Sequence, residues 1–326
     1  MAKSDPIERA LNRLGELHTA ESSESVIDEI RGFLRNRSNL VVAKAAKVAR
    51  ELRIAALLPE MVAAFDKLMT NAPRLDKRCA ATTELLTALY EMDYVEPAPY
   101  LKGLKHVQLE ASFGPPVDEA AKLRAVSAQG LLRTRYPEAL AEVLPLLVDR
   151  EPAARMGAVR ALAANGGEAG ALLLRLKVLT GDSEASVLAD CFAGLLATSP
   201  DKSVAFVARY IDADDEGIAE AAILALGESR LTAAYDVLRE KWERSVGSPM
   251  RKTLLVAMAS SRLDDAIAFL ISLTENASPQ TAEEAIEALS IYRHSERVSA
   301  AVREALTARG DKRLITQFAQ AFERHD

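Results

Sequence analysis

The chain is organised around one stretch, Ala154-Arg155-Met156-Gly157-Ala158-Val159-Arg160-Ala161-Leu162-Ala163, because its pattern returns along the sequence. The stretch contains an Ala-x-x-Ala pair, formed by Ala158 and Ala161. The second alanines of the successive copies are Ala128, Ala161, Ala193, Ala225, Ala257 and Ala288, at steps of 33, 32, 32, 32 and 31 residues. A fixed period of roughly 20–50 residues is the signature of a repeat architecture. The sequence therefore predicts an array of repeats.

Each repeat predicts two helices. In the clearest repeat, apolar residues at helical spacing predict a first helix over residues 137–149. The break Arg150-Glu151-Pro152 follows, and a second helix is predicted over residues 153–164. Asp, Ser or Pro stands before the later second helices, where it suits a helix start: Asp182, Ser183, Asp214, Asp215, Ser248, Pro249, Ser278 and Pro279.

The same pattern extends over the whole chain and predicts an all-α fold of about nine helix pairs. We expect one array, 1–326, divided into N-terminal repeats (1–93), an irregular long connection (94–121), regular 32-residue repeats (122–293) and a C-terminal capping repeat (294–326). The last helix carries Leu314, Phe318 and Phe322 for the interior. The polar outer face that a terminal repeat needs is predicted at Glu323, Arg324 and Asp326.

The second-helix pattern resembles the HEAT-repeat family, in a short bacterial form similar to the repeats of phycobilisome-lyase-like proteins. A capping Asp or Ser is followed by Val-Arg or a similar pair and then by Ala-x-x-Ala-Leu, as in residues 154–162 and 218–226. The family's basic position, three residues before the first alanine, is filled here by Arg78, Lys122, Arg155 and Arg251. The resemblance implies a right-handed α–α superhelix with the second helices lining its concave side. It says little about function, because one fold hosts many activities.

Composition argues against several classes of protein. The net charge is −6, whereas proteins whose main role is to bind a duplex usually have a basic balance. No apolar run is long enough to span a membrane, and residues 1–6 contain no apolar signal segment, so a cytoplasmic location is expected. The two cysteines, Cys79 and Cys191, are expected to be reduced core residues.

No catalytic, cofactor or metal motif is found. Phosphate-binding, dinucleotide-binding, nucleophile-elbow and zinc-protease patterns are missing from the sequence. The histidines are scattered, at His18, His106, His294 and His325. The acidic run at residues 212–216 looks like a metal site, but we interpret it as a helix cap in a turn. We therefore expect no enzyme activity, cofactor or metal.

A basic stripe marks one surface for partner binding. Residues 30–59 contain one acidic residue, Glu51, and these basic residues: Arg31, Arg35, Arg37, Lys44, Lys47, Arg50 and Arg53. On the predicted helix 40–53, Val41, Ala45, Val48 and Leu52 share one face, with Lys44, Lys47 and Arg50 on the other. Like charges repel along a helix, so this stripe favours a negatively charged partner, which is an acidic peptide, a phosphate group or nucleic acid. An ordinary solvated face is the alternative.

The irregular connection is the second candidate, because insertions in repeat arrays are often binding loops. The alternative is a helix with proline-rich ends, whose aromatic residues fill the gap. We predict that a non-catalytic scaffold binds a protein or peptide through Lys44, Lys47, Arg50, Arg78, Lys122, Arg155, Tyr94, Tyr100 and His106. The other hypothesis is a nucleic-acid-binding protein using the basic N-terminal patch. Some HEAT-like solenoids that the chain resembles excise alkylated bases from DNA with Trp, Asp and Arg; here the lone Trp242 lies on a first helix.

Overall fold

The structure, a computed structural model, describes residues 5–19, 23–245 and 249–322. Within these ranges the chain is helical apart from turns and one two-stranded hairpin, so the all-α class is confirmed. No helix in the same ranges is long and apolar enough to cross a membrane. Residues 1–4, Ser248, Glu323, Arg324, His325 and Asp326 lie outside the described residues. The chain forms two compact units, Met1–Leu174 (unit 1) and Arg175–Asp326 (unit 2).

Unit 1 contains the irregular connection and the basic stripe. Its elements are α1 (Pro6–Leu17), α2 (Glu24–Leu34), α3 (Asn39–Glu51), α4 (Leu58–Met69), α5 (Ala72–Leu75), α6 (Ala80–Glu91), α7 (Pro97–Leu104), β1 (Leu109–Glu110), β2 (Val117–Asp118), α8 (Ala121–Arg133), α9 (Ala139–Val143) and α10 (Pro152–Asn165). Short 3₁₀ turns lie at Ala55–Leu57, Lys77–Cys79 and Leu144–Val148. The next helix, α11 (Gly167–Thr180), includes the boundary between the units.

Unit 2 is more regular. Its helices are α12 (Ala185–Thr198), α13 (Pro200–Val207), α14 (Glu216–Glu228), α15 (Thr232–Arg244), α16 (Arg251–Ser260), α17 (Asp264–Asn276), α18 (Pro279–Leu289), α19 (Glu296–Arg309) and α20 (Lys312–Phe322). Two of its helix ends tighten into 3₁₀ turns, at Ala208–Tyr210 and Ser290–Tyr292.

In each unit, the second helices of successive pairs pack side by side. In unit 1, α3 contacts α6, α6 contacts α8 and α8 contacts α10; we call these four helices the second-helix row. The corresponding contacts in unit 2 join α12, α14, α16, α18 and α20. Small residues let these helices approach closely: a Cβ added at Gly157 would lie 2.3 Å from the Cβ of Ala125. The recurring alanines are therefore contact positions between neighbouring repeats.

The structure corrects the repeat register in two helices. On α12 the predicted contact residue Ala193 is exposed, and Gly194 is buried instead. On α8 the residues equivalent to Ala158 and Ala161 are Ser127 and Gly130, not Ala125 and Ala128, since Ser127 and Gly130 share their place in the burial pattern. The alignment by alanine alone was wrong there because serine, cysteine and glycine are also small enough for a close helix contact.

Two predicted helix boundaries are also corrected. The first helix expected over 137–149 is split into α9 and a 3₁₀ turn, because Pro145 has no N–H to continue α-helical bonding. The repeat pattern also predicts a helix pair over residues 57–70 and 76–90. The second helix of this pair begins at Ala80 instead, because Arg78 and Cys79 have left-handed backbones, with φ of 60° and 48°. Asp76 instead accepts hydrogen bonds from the backbone N–H groups of Ala81 and Thr82, at 2.9 and 2.8 Å.

Helix capping follows the sequence at α14 and α18 but not at the other two predicted starts, since α12 has Glu184 at its N-cap and α16 begins at Arg251, after Met250. Asp215 and Ser278 are N-caps that accept from the backbone N–H groups of Ile218 and Thr281, at 3.0 and 3.3 Å. The capping interpretation of the acidic run is thus confirmed at Asp215. Cys79 and Cys191 are free and buried, as predicted.

The long connection between α6 and α8 is more ordered than an irregular loop. It contains the short helix α7 and an antiparallel hairpin, in which Leu109 pairs with Asp118 and Glu110 with Val117. Tyr100 of α7 is fully buried against Gly130, where an added Cβ would lie 2.2 Å from the ring. The alternative interpretation, a helix whose aromatic residue fills the gap, therefore describes α7, while the hairpin was not predicted.

Candidate partner-binding surface

The basic stripe of α3 lies on the exposed face of the second-helix row. The two helices have the same pattern of buried residues, at an offset of 40 residues (85 − 45 = 40). The buried residues are Ala45, Ala46, Val48 and Ala49 on α3 and Leu85, Leu86, Ala88 and Leu89 on α6. By this offset, Lys44 and Lys47 correspond to Glu84 and Thr87 on the neighbouring helix. The two lysines therefore continue the exposed face that α6 presents.

Not every cation of the stripe is free for a partner. The Arg50 guanidinium lies 3.1 Å from Glu84 and 3.5 Å from Glu91, so it links α3 to α6. Burial raises the pKa of Glu84, although Arg50 and Lys47 oppose the shift. Lys47 forms a loose pair with Glu51, at 3.8 Å. Lys44, by contrast, has no ion pair or side-chain hydrogen bond to any of the described residues.

An open groove of about 380 Å³ crosses the row between α6, α8 and α10. Lys122 of α8 is exposed at its rim and, like Lys44, has no ionic partner among the described residues. The groove is lined by Thr83, Thr87, Tyr90, Glu91, Lys122, Ala125, Val126, Gln129, Ala153, Met156, Gly157 and Arg160. Hydroxyl, amide and apolar groups of this kind suit an extended peptide.

Arg155 does not belong to this surface, because its side chain is buried. Its guanidinium donates to the backbone carbonyls of Asp149 and Arg150, at 2.9 and 3.1 Å. In unit 2, Arg251 donates in the same way to the carbonyls of Trp242 and Ser245, both at 3.3 Å. These carbonyls end the preceding segment, so the arginines satisfy acceptors that the helix leaves open. The basic position of the repeat is therefore structural at these two sites.

On α8 the structural basic position of the repeat is occupied by Arg124, which was not predicted. Arg124 is 4% exposed and donates to the carbonyl of His106 at 2.9 Å. Its guanidinium also pairs with Asp118 at 2.8 Å and with Asp149 through two bonds of 2.9 Å. Burial alone would raise the pKa of Asp118, but hydrogen bonds from Gln108, Ala120 and Arg124 hold it below its usual value.

Arg78 lies in the 3₁₀ turn that leads into α6, with an exposed side chain. Its backbone N–H donates to the Glu110 carboxylate at 2.6 Å, which ties the turn to the hairpin. The amide of Gln108 reinforces this link by donating to the carbonyl of Asp76 at 3.0 Å. Asn39, the first residue of α3, donates to the Asp76 carboxylate, also at 3.0 Å. The starts of α3 and α6 and the base of the hairpin are thus held together.

The remaining predicted residues lie in or under the connection. The Tyr100 hydroxyl donates to the carbonyl of Tyr94 at 2.9 Å, and burial raises the pKa of Tyr100. Because Tyr100 is fully buried, it is a core residue rather than a contact for a partner. Tyr94 is half-buried. His106 is also half-buried, and its ring lies 3.1 Å from the Gln108 side chain.

The structure therefore brings Lys44, Lys47, Arg78 and Lys122 to the second-helix row and the turn that starts it. It does not bring Arg155, Tyr94 or Tyr100 there. Two exposed cations that precede Arg78 in the sequence, Arg74 and Lys77, were not predicted. The signal that would have found them is the run Arg74-Leu75-Asp76-Lys77-Arg78, which is basic and interrupts the helical pattern.

Trp242 of unit 2 is only 5% exposed. Its ring is covered by the guanidinium of Arg251 at 3.4 Å and meets the ring of Phe269 edge-on at 6.4 Å. An open cavity of about 670 Å³ adjoins Trp242 between α15, α16, α17 and α18. The stacked, hydrogen-bonded Arg251 makes this tryptophan part of the packing in unit 2.

Comparisons with known proteins leave the family open. No known protein family matches the sequence, and no curated protein matches it. Among solved structures, a crystal structure of an engineered protein is similar over 100% of this chain and 97% of its own, with 15% identity and a TM-score of 0.41. Similarity at this level does not decide the family, and the HEAT resemblance stays a prediction. Among the described residues, no cluster of His, Cys, Asp and Glu forms a group that could hold a metal ion.

Proposed function

We propose that the chain is a non-catalytic scaffold that binds an acidic segment of a protein partner on the second-helix row of unit 1. In this proposal the helix pairs, about nine in number, stack into a right-handed α–α superhelix of the HEAT type, and the row lines its concave side. Side-by-side packing of α3, α6, α8 and α10 supports the stacking. The small residues buried at repeated positions support it as well.

The observation that carries the binding proposal is the contrast between paired and free cations on one face. Arg50 is neutralised by Glu84 and Glu91, whereas Lys44 and Lys122 have no ionic partner among the described residues. Both lysines lie on the row that borders the open groove. A carboxylate placed at either lysine would gain an ion pair without breaking an existing one. Complementary charge of this kind also speeds association and excludes basic partners.

The groove suits an extended segment better than a folded domain. Its lining combines threonine, glutamine and tyrosine groups with alanine and methionine side chains, and it includes the charged residues Glu91, Lys122 and Arg160. An extended chain spans about 3.3 Å per residue, and neighbouring helices lie about 8–10 Å apart, so every third residue of the segment would meet a new helix. Acidic residues at that spacing would match the cations of successive helices.

A displayed library of random peptides tests the proposal without a known partner. We expect the wild-type protein to enrich peptides rich in Asp and Glu, and the K44A/K122A variant to lose that enrichment. A matched control, K67A/K102A, removes the same charge from α4 and α7 of the same unit and should retain the enrichment. Equal enrichment by both variants would contradict the assignment of the site.

Nucleic acid is the competing ligand for the same cations. Binding to phosphates weakens steeply as salt concentration rises, because counterions are released. If wild-type protein enriches no acidic peptide but retains a single-stranded oligonucleotide at low salt and loses it at high salt, the scaffold proposal is wrong.

A further inference from the structure

The hairpin between α7 and α8 exposes a cluster of large apolar side chains. Phe113 at its tip is fully exposed, and Val107, Leu109 and Val117 are 60%, 64% and 46% exposed. Leu109 lies on β1, and Val107 precedes it by two residues. Val117 on β2 pairs with Glu110, so it lies on the opposite face from Leu109, and Phe113 lies in the turn between the strands. Single exposed apolar residues are ordinary, but a cluster on one projecting element marks an interaction site.

The base of this hairpin is rigid. Gln108 is 1% exposed, and its backbone N–H donates to the Asp118 carboxylate at 3.0 Å. Asp118 in turn pairs with the buried Arg124 at 2.8 Å, which anchors the hairpin to α8. Backbone bonding continues below the strands, where the N–H of Glu119 donates to the carbonyl of Gln108 at 2.9 Å. The apolar tip is therefore held in place before any partner arrives, which lowers the entropy lost on binding.

Cations without ionic partners flank the hairpin. Arg74, Lys77 and Arg78 are exposed, and the described residues offer none of them an ion pair. The closeness of Lys77 and Arg78 to the hairpin is shown by Glu110. Its burial opposes ionisation, but hydrogen bonds from Arg78 and Gln108 and the charges of Lys77 and Arg78 lower its pKa. The carboxylates of Glu110 and Asp118 are already engaged in hydrogen bonds. The surface next to the apolar cluster is therefore complementary to negative charge.

The hairpin is also continuous with the proposed peptide surface. Its second strand ends at Asp118, and α8 begins at Ala121, one residue before Lys122 at the rim of the groove. The exposed Arg78 precedes α6, the next helix of the same row. A segment bound beside Lys122 therefore lies next to the base of the hairpin.

We propose that the hairpin is a second docking element that binds large apolar residues flanking the acidic residues of the partner segment. This inference rests on the proposed function and makes it more specific, since the ligand becomes an amphipathic acidic segment. Lys44 and Lys122 select its charge, while Phe113 and Leu109 select an aromatic or large aliphatic residue next to that charge.

The same peptide library tests the inference with an F113S/L109S variant. The matched control is L144S/V148S, which removes two exposed apolar side chains elsewhere in unit 1. Wild type and control should enrich acidic peptides that also contain an aromatic or large aliphatic residue. The hairpin variant should still enrich acidic peptides but without the apolar preference. Its affinity for the strongest wild-type peptide should fall by about tenfold or more, as expected when at least one of the two removed apolar side chains is buried on binding.

The outcomes separate this inference from the proposed function. Unchanged apolar preference in the hairpin variant would overturn the inference alone. Loss of apolar preference in the hairpin variant, with no acidic preference in the wild type, would support the hairpin and overturn the charge-based proposal. Enrichment of no peptide at all would overturn both. Binding of the wild type to phosphatidylserine-containing vesicles, lost in F113S/L109S and seen without any peptide enrichment, would make the occupant a lipid surface and also overturn the inference.

Discussion

Replacing Arg124 with methionine should loosen the hairpin and destabilise unit 1. The substitution keeps most of the aliphatic side chain but removes a guanidinium that is 4% exposed and bonded to Asp118, Asp149 and the carbonyl of His106. Breaking a buried ion pair by removing one partner costs about 3–5 kcal/mol, because the remaining charge stays buried. Asp118 keeps backbone donors from Gln108 and Ala120, and Asp149 keeps one from Glu151. We therefore expect the lower end of this range, about 3 kcal/mol.

Hydrogen exchange measured by mass spectrometry is the suitable assay, since it reports on each segment separately. A loss of about 3 kcal/mol should speed exchange of the protected hairpin amides, such as that of Glu119, by about a hundredfold. The control is K105M, which removes a cation paired with Glu142 from a side chain that is 64% exposed. Such exposed pairs contribute about 0–1 kcal/mol, so exchange should change by less than about fivefold. Equal effects of R124M and K105M on the hairpin would refute the anchoring role of Arg124.

Two further predictions concern packing and the cysteines. G130A should destabilise unit 1 by about 1–3 kcal/mol through overpacking, because its Cβ would lie 2.2 Å from the buried Tyr100 ring. The control G32A on α2 meets no neighbour and should be neutral or stabilising. If urea unfolding shows that G130A is as stable as wild type, the close contact is contradicted. Burial raises the pKa of Cys79 and of Cys191 to about 12, from 9.0, so both favour the thiol when folded. Their contribution is complete below pH 9 and is lost as pH rises above it, by about 1 kcal/mol each at pH 10. C79A and C191A should lose less stability than wild type between pH 8 and pH 10. Rapid labelling of the native protein by a thiol reagent would contradict this prediction, because it would show that the thiols are not buried.

Much of the fold was readable because helical periodicity and capping chemistry are local. Asp215 and Ser278 cap helices as the sequence indicates, and both cysteines are buried. The alignment of α8 with the other second helices could not be predicted from alanine positions alone. Ser127 and Gly130 occupy the helix-contact positions that alanine occupies elsewhere. The helix predicted over residues 137–149 is divided at Pro145, because proline has no N–H for α-helical bonding. Apolar spacing alone did not predict this break.

The candidate site was predictable only where exposure follows from helical position. Lys47 is exposed and Lys44 is half-buried on the side of α3 opposite its buried residues, as amphipathicity requires. Arg155 could not be distinguished from them by sequence, because its carbonyl partners, Asp149 and Arg150, depend on the path of the preceding turn. Arg124 and the hairpin were missed because their partners lie far apart in the chain, with Asp149 25 residues from Arg124.

The most direct measurement of the central claim is a side-by-side titration of two labelled ligands, followed by fluorescence anisotropy. One ligand is the strongest acidic peptide recovered from the library, and the other is a single-stranded oligonucleotide of equal net charge. We expect wild-type protein and K67A/K102A to bind the peptide, and K44A/K122A to bind it with an affinity lower by at least about tenfold. Wild-type protein should bind the oligonucleotide much more weakly than the peptide. Tighter binding of the oligonucleotide, or peptide binding unchanged in K44A/K122A, would contradict a peptide-binding role for the second-helix row.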